Sequence, residues 1–173
     1  DAVFDDGFIN LVLDRGKWSF AKCSQKMTYS SSIVPSFSED SGYYKRAFQV
    51  PDDFVKLVAI WQDASFRVPL LDYMYEANII YCAQDTIYLQ YISNSETYGG
   101  NLAKWPSTFS QYAETYMAYQ AEPFITNRSK DDLGKNLVIS ERLALASDGK
   151  NKPIQINPIG SWKRARLGYY PSN

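Results

Sequence analysis

Proton transfer near neutrality is the commonest way a side chain enters catalysis, and the residue best suited to it, histidine, does not occur in this sequence. That removes Ser-His-Asp and Cys-His nucleophilic pairs and most zinc sites. The two cysteines, Cys23 and Cys82, are far apart and match no metal or redox spacing. They read as free, buried thiols in a reducing compartment. The adjacent aspartates are Asp5-Asp6, Asp52-Asp53 and Asp131-Asp132. Glycoside hydrolysis needs two carboxyl groups about 5–9 Å apart across a cleft, one with a raised pKa. Neighbours on a strand point to opposite faces, so Asp52-Asp53 is a poor dyad and reads as turn chemistry. A dyad assembled from distant carboxylates stays open. No Walker A sequence, dinucleotide glycine fingerprint or EF-hand loop is present, and Gly99-Gly100 is a loop pair. No catalytic, cofactor or metal residue is assigned.

The remaining chemistry lies at the C-terminal end. Trp162, Lys163, Arg164 and Arg166 are followed by Tyr169 and Tyr170. Such a cluster can hold phosphates and stack on bases, or it can dock on a protein, because Trp, Tyr and Arg dominate interface hot spots. Overall charge is −1, unevenly placed. Residues 128–173 carry nine Lys/Arg against four Asp/Glu, net +5, and residues 1–127 carry nine against fifteen, net −6. An acidic body repels a polyanion and few cations are clustered, so docking on an acidic protein partner is the favoured reading. A solvated basic tail and a nucleic-acid contact are the alternatives.

These residues need a scaffold, and 173 residues suit one domain with an extension. Aromatics reach 16%, with 14 Tyr, 9 Phe and 4 Trp, which fits either a tyrosine-rich β core or an interface. No apolar run approaches the ~20 residues of a membrane span, and no signal peptide is visible. The sequence opens on Asp1 rather than Met, which leaves room for a preceding segment.

Phe4, Phe8, Leu11 and Val12 fall on one helical face, predicting a helix over about 1–15, ended by Gly16 in the left-handed region. Trp18–Tyr29 is predicted to be an extended segment or a first strand, and the Ser/Pro-rich run 30–38 a loop. A β-rich region over about 43–92 is predicted to form a small, mainly antiparallel sheet of about five strands. Within it Glu76–Cys82 is expected to pair with Thr86–Ile92 as a hairpin. Phe109, Tyr112, Ala113, Tyr116, Met117 and Gln120 follow a helical period over about 106–121, limited by Pro123. A further helix over about 130–146 has Ser129 as N-cap, Leu133, Leu137, Leu143, Ala144 and Ala146 as its inner face, and Ser147-Asp148-Gly149 as its stop. Residues 1–149 then form one α+β domain, and 150–173 an extended basic tail.

In order, Trp18-Ser19-Phe20-Ala21, the run Arg46–Lys56 (RAFQVPDDFVK), Trp105-Pro106-Ser107-Thr108-Phe109 and Trp162-Lys163-Arg164-Ala165-Arg166 resemble the head-to-tail adaptor proteins of short-tailed bacteriophages, the tail tubular protein A-like group. The resemblance spans roughly Phe8 to Arg166, and the order of the motifs carries it. It implies an antiparallel helical bundle with a small β-sheet insertion. It implies a homo-oligomeric ring, usually a dodecamer, docked under the portal protein, with genomic DNA passing through its lumen and a downstream tail or nozzle protein below. The location implied is the virion neck, assembled in the host cytoplasm. The tail residues Trp162, Lys163, Arg164, Arg166, Tyr169 and Tyr170 would then grip the portal. Some relatives in that group are credited with cell-wall hydrolysis, so a tail-associated peptidoglycan hydrolase is one alternative, and a nucleic-acid-binding module is the other. Nothing at the level of residues supports the hydrolase.

Overall fold

The computed structural model describes residues 6–34, 44–125 and 131–150. Its strands are β1 (Lys22–Thr28), β2 (Arg46–Gln49), β3 (Phe54–Trp61), β4 (Met74–Glu76), β5 (Ile79–Cys82) and β6 (Thr86–Ser93). Its helices are α1 (Asp6–Asp14), α2 (Ser107–Ile125) and α3 (Asp131–Lys150), with a 3-10 turn at Leu102–Lys104. The strands form two antiparallel three-stranded sheets, ordered β1-β6-β3 and β2-β5-β4.

The expected hairpin of Ile79–Cys82 with Thr86–Ile92 does not form. β5 pairs with β2 and β4, whereas β6 pairs with β1 and β3. The chain changes sheets between Cys82 and Thr86, so Ile80 and Cys82 face Ile87, Leu89 and Tyr91 across one shared core. Alternation fixes which side chains point inward, but two strands lying side by side and two strands facing each other have the same alternation. Phe48 and Ile80 are opposite one another in the second sheet, and both are fully buried. Single backbone bonds join the sheets at a corner, from the Ser30 N–H to the Ala47 carbonyl at 2.8 Å.

β3 carries two irregularities in its register with β6, at Phe54/Lys56 and Leu57/Ala59. Each shifts the alternation. Phe54, Leu57 and Ile60 therefore reach the core between the sheets, while Val55 and Val58 reach the opposite face. The helices cover that opposite face. Val12, Leu13, Phe109, Tyr112 and Tyr116 pack with Ile92 in a second core.

Four aromatic rings from the quoted motifs meet there. The Trp18 ring lies edge-on to Phe109 with centroids 4.7 Å apart, Trp105 does the same at 4.7 Å, and Phe20 at 4.8 Å. The indole N–H groups are satisfied by carbonyls, Trp18 by Leu13 at 3.0 Å and Trp105 by Gly99 at 2.7 Å. The Trp-x-Phe-Ala and Trp-Pro-x-x-Phe segments thus build one aromatic cluster under α2.

The helical bundle with a β insertion is therefore corrected. The class is α+β, but the helices bury their faces against a sheet instead of closing around a common axis. β1 also precedes the region 43–92, so the strands are not one inserted block. Further differences are local. In α1 the inward residues are Phe8, Ile9, Val12 and Leu13, while Leu11 faces solvent; Phe4 lies outside the described residues. Gly16 is not left-handed. A Cβ there would stand 2.7 Å from the Trp18 indole, so glycine is required by close approach. α2 continues past Pro123 to Ile125. α3 continues through Ser147-Asp148-Gly149 because the buried Asp148 carboxylate accepts from the Ser19 N–H at 2.7 Å and from its hydroxyl at 2.5 Å. Ser129 lies outside the described residues.

Candidate functional site

Where their side chains are described, the paired aspartates have structural or surface roles. Asp52 is exposed, and Asp53 accepts from the Tyr91 hydroxyl at 3.1 Å and from the Ser93 hydroxyl. The Asn94 N–H reaches the Asp53 carbonyl at 3.0 Å, so Asp53 fastens the loop after β6 to the start of β3. Asp132 pairs with Lys135 at 3.5 Å on the surface of α3. The side chains of Asp5, Asp6 and Asp131 lie outside the described residues. Among the described residues no three His, Cys, Asp or Glu gather as a metal cluster.

The shifted phenols are held neutral. Burial pushes the Tyr91 hydroxyl far above its ordinary range, and the neighbouring Cys23 and Asp53 push it the same way. Tyr98 is raised chiefly through its hydrogen bond with Cys23. Burial also raises the Cys82 thiol and the Tyr112 phenol. A phenol or thiol kept protonated by a raised pKa is a poor general base and a poor nucleophile. Asp63 moves the other way. Its carboxylate accepts from the Ser65 hydroxyl, which is the main cause, and from the Val68 N–H at 2.8 Å, and its pKa falls below the ordinary 3.8. It organises the turn after β3, where Phe66 holds φ at 55°.

The unusual feature is apolar surface on the helices. α3 buries Ala144 and half-buries Leu137 against the core, yet Val138, Ile139 and Leu143 are 45%, 56% and 57% exposed. Of the inner face expected from sequence, Leu143 and Ala146 in fact face solvent. A helix apolar on most sides is usually covered on most sides. A Cβ at Gly134 would stand 3.6 Å from the Tyr119 ring while Asp148 reaches Ser19, so α3 returns antiparallel along α2. A cleft of about 490 Å³ runs along the other flank of α2, between α1 and the 3-10 turn, lined by Phe8, Ile9, Leu102, Trp105 and Met117, with Glu114 at its rim. Leu102 is 55% exposed.

Trp162, Lys163, Arg164, Arg166, Tyr169 and Tyr170 all lie outside the described residues, as does the tail from residue 151. Lys150, placed in the tail by the sequence, ends α3. The exposed ridge of α3 was missed, though it had a signal: Leu137-Val138-Ile139 is an unbroken apolar run that one helical face cannot bury. Among the described residues no helix is long and apolar enough to cross a membrane. Compared with the models of known protein families and with curated proteins, the chain matches none.

Proposed function

We propose that this chain is a structural protein of a phage virion, a ring-forming head-to-tail adaptor that docks under the portal, extends the DNA channel and carries the next tail component. The observation that carries the reading is the uncovered apolar face of α3, which leaves the fold with surface that an assembly would bury. The ordered motifs from Trp18 to Arg166 add the resemblance to phage adaptors. The carboxylates of Asp53, Asp63 and Asp148 are occupied in holding loops and turns, which supports a role without catalysis. DNA passes through the lumen of the ring without specific contacts, and the basic segment 151–173 grips the portal.

Imaging of the full-length chain with and without its portal tests the proposal. Rotationally symmetric rings are expected, portal attachment being lost when residues 151–173 are removed. A chain that stays monomeric at all concentrations and forms no ring on the portal contradicts it. Turnover of purified cell wall by the intact protein would favour the hydrolase reading. DNA affinity that falls steeply with salt and depends on Lys163, Arg164 and Arg166 would favour the nucleic-acid reading.

A further inference from the structure

We infer that the part of the β1-β6-β3 sheet face lying beyond the helices is a contact for the phosphate backbone of duplex DNA. This rests on the ring reading above and names the surface of the chain that meets the DNA.

Strand register defines the face. Ile92, which packs in the helical core, stands between Lys22 on β1 and Lys56 on β3. Residues directly opposite on neighbouring strands share a face. The following rows on that face are Ser24, Gln90 and Ala59, then Lys26, Tyr88 and Trp61. Side-chain hydrogen bonds run across it. The Trp61 indole N–H donates to the Gln90 side-chain carbonyl at 3.2 Å, and the Gln90 amide donates to the Ser24 hydroxyl at 3.2 Å. Tyr88 and Trp61 belong to neither core and are half-buried. Phe66, in the turn after β3, lies nearly perpendicular to both rings and closes this end of the face.

The charge of this sheet departs from that of the body around it. Residues 1–127 carry a net −6, yet β1, β3 and β6 hold Lys22, Lys26 and Lys56 and no Asp or Glu. Lys56 is paired with Asp14 at 3.6 Å. Among the described residues neither Lys22 nor Lys26 has a carboxylate within salt-bridge distance. The carboxylates that flank the sheet in sequence are engaged elsewhere. Asp63 accepts from the N–H groups of its own turn, and Asp85 holds Arg46 at 2.7 Å. The acidic balance of the body therefore does not extend to this face.

Lys22 and Lys26 are four residues apart on one strand, which sets them about 13 Å from each other. Neutral hydrogen-bonding groups, from Ser24, Gln90 and Tyr88, lie between and beside them. Spaced cations among neutral polar groups suit a line of phosphates better than an apolar protein surface. Such contacts fix position on the duplex and read no sequence.

Anisotropy of a fluorescein-labelled, mixed-sequence duplex titrated with the full-length chain gives the test. Affinity should fall as salt rises. Lys22→Ala with Lys26→Ala should weaken binding by about tenfold at low salt and reduce the salt slope by about two. The loss should be the same when residues 151–173 are removed, and Lys135→Ala on α3 should leave binding unchanged. A photocrosslinking side chain in place of Tyr88 keeps the test decisive if the lysine variant misfolds, and it should capture the labelled duplex. Polyglutamate that displaces the duplex at equal charge would assign the face to an acidic protein and overturn the inference. No binding at low salt, or binding indifferent to both lysines, would also overturn it. Rings that form without this contact overturn the inference alone. A chain that holds the duplex through Lys22 and Lys26 yet never forms rings overturns the ring reading alone.

Discussion

The core between the sheets and the helical layer treat apolar side chains differently. Between the sheets, Phe48, Ile80, Cys82, Ile87 and Leu89 are fully buried, each facing the opposite sheet. In the helical layer only the inner side is covered. Val12, Leu13, Phe109 and Tyr112 are buried against the sheet, while α3 turns Val138, Ile139 and Leu143 to solvent. The core between the sheets is closed, with Val68 and Leu71 of the β3–β4 connection lying outside it, whereas α3 exposes a run of apolar side chains along one helix. Burial of apolar area is the main stabilising term in folding and in association alike. The closed core therefore accounts for the fold, and the exposed side chains of α3 are the surface that the proposed assembly would bury.

The largest expected effect tests whether the inner side of the helical layer is true core. Trp18→Ala removes the ring that meets Phe109, Phe20 and Tyr112, and should cost about 3–5 kcal/mol in chemical denaturation. A loss below about 1 kcal/mol would show that the helices are loosely attached. The comparison itself is tested by two leucines in one experiment on dilute monomer. Leu89→Ala, between the sheets, should cost about 2–5 kcal/mol. Leu143→Ala, on the ridge, should change stability by no more than about 0.5 kcal/mol. Equal losses would erase the distinction drawn here.

A smaller effect concerns Tyr112, whose hydroxyl is buried without a protein hydrogen-bond partner. Tyr112→Phe should leave stability unchanged or raise it by about 1 kcal/mol, since the phenol is desolvated without compensation. A clear loss in thermal melting would mean that the hydroxyl is satisfied in solution. The smallest effect lies in the turn after β3. Asp63 has a folded-state pKa below its unfolded value, so its contribution is complete above 3.8 and is lost as pH falls through the lower folded-state value. Carboxyl titration by NMR should give Asp63 a midpoint below 3.8, and Ser65→Ala should bring it back toward that value. An Asp63 that titrates at 3.8 with Ser65 intact would remove the carboxylate from the organisation of this turn.

Much of the secondary structure was legible in the sequence, because α2 shows a full helical period and β3 and β6 are rich in β-branched and aromatic residues. Pairing was not legible. Ile79–Cys82 and Thr86–Ile92 are separated by a short polar link, which suits a hairpin and a crossing between sheets equally well. The turn at Ala77-Asn78, with φ of 47° and 63°, joins β4 to β5 without the glycine that would have announced it. The end of α3 was misplaced because Ser-Asp-Gly usually stops a helix, and only the docking of Asp148 on Ser19 carries it further. The exposed apolar surfaces were partly legible. The Leu137-Val138-Ile139 run showed excess apolar surface, but the cleft is built from α1, the 3-10 turn and α2, which only the fold brings together. The docking residues expected from sequence, Trp162 to Tyr170, fall outside the described residues.

Imaging of assembled rings with each protomer placed individually tests the central claim most directly. The account predicts rotational symmetry, with Ile139 and Leu143 of α3 buried in the assembly. Rings in which Ile139 and Leu143 remain in solvent, or a chain that stays monomeric at every concentration, would contradict it.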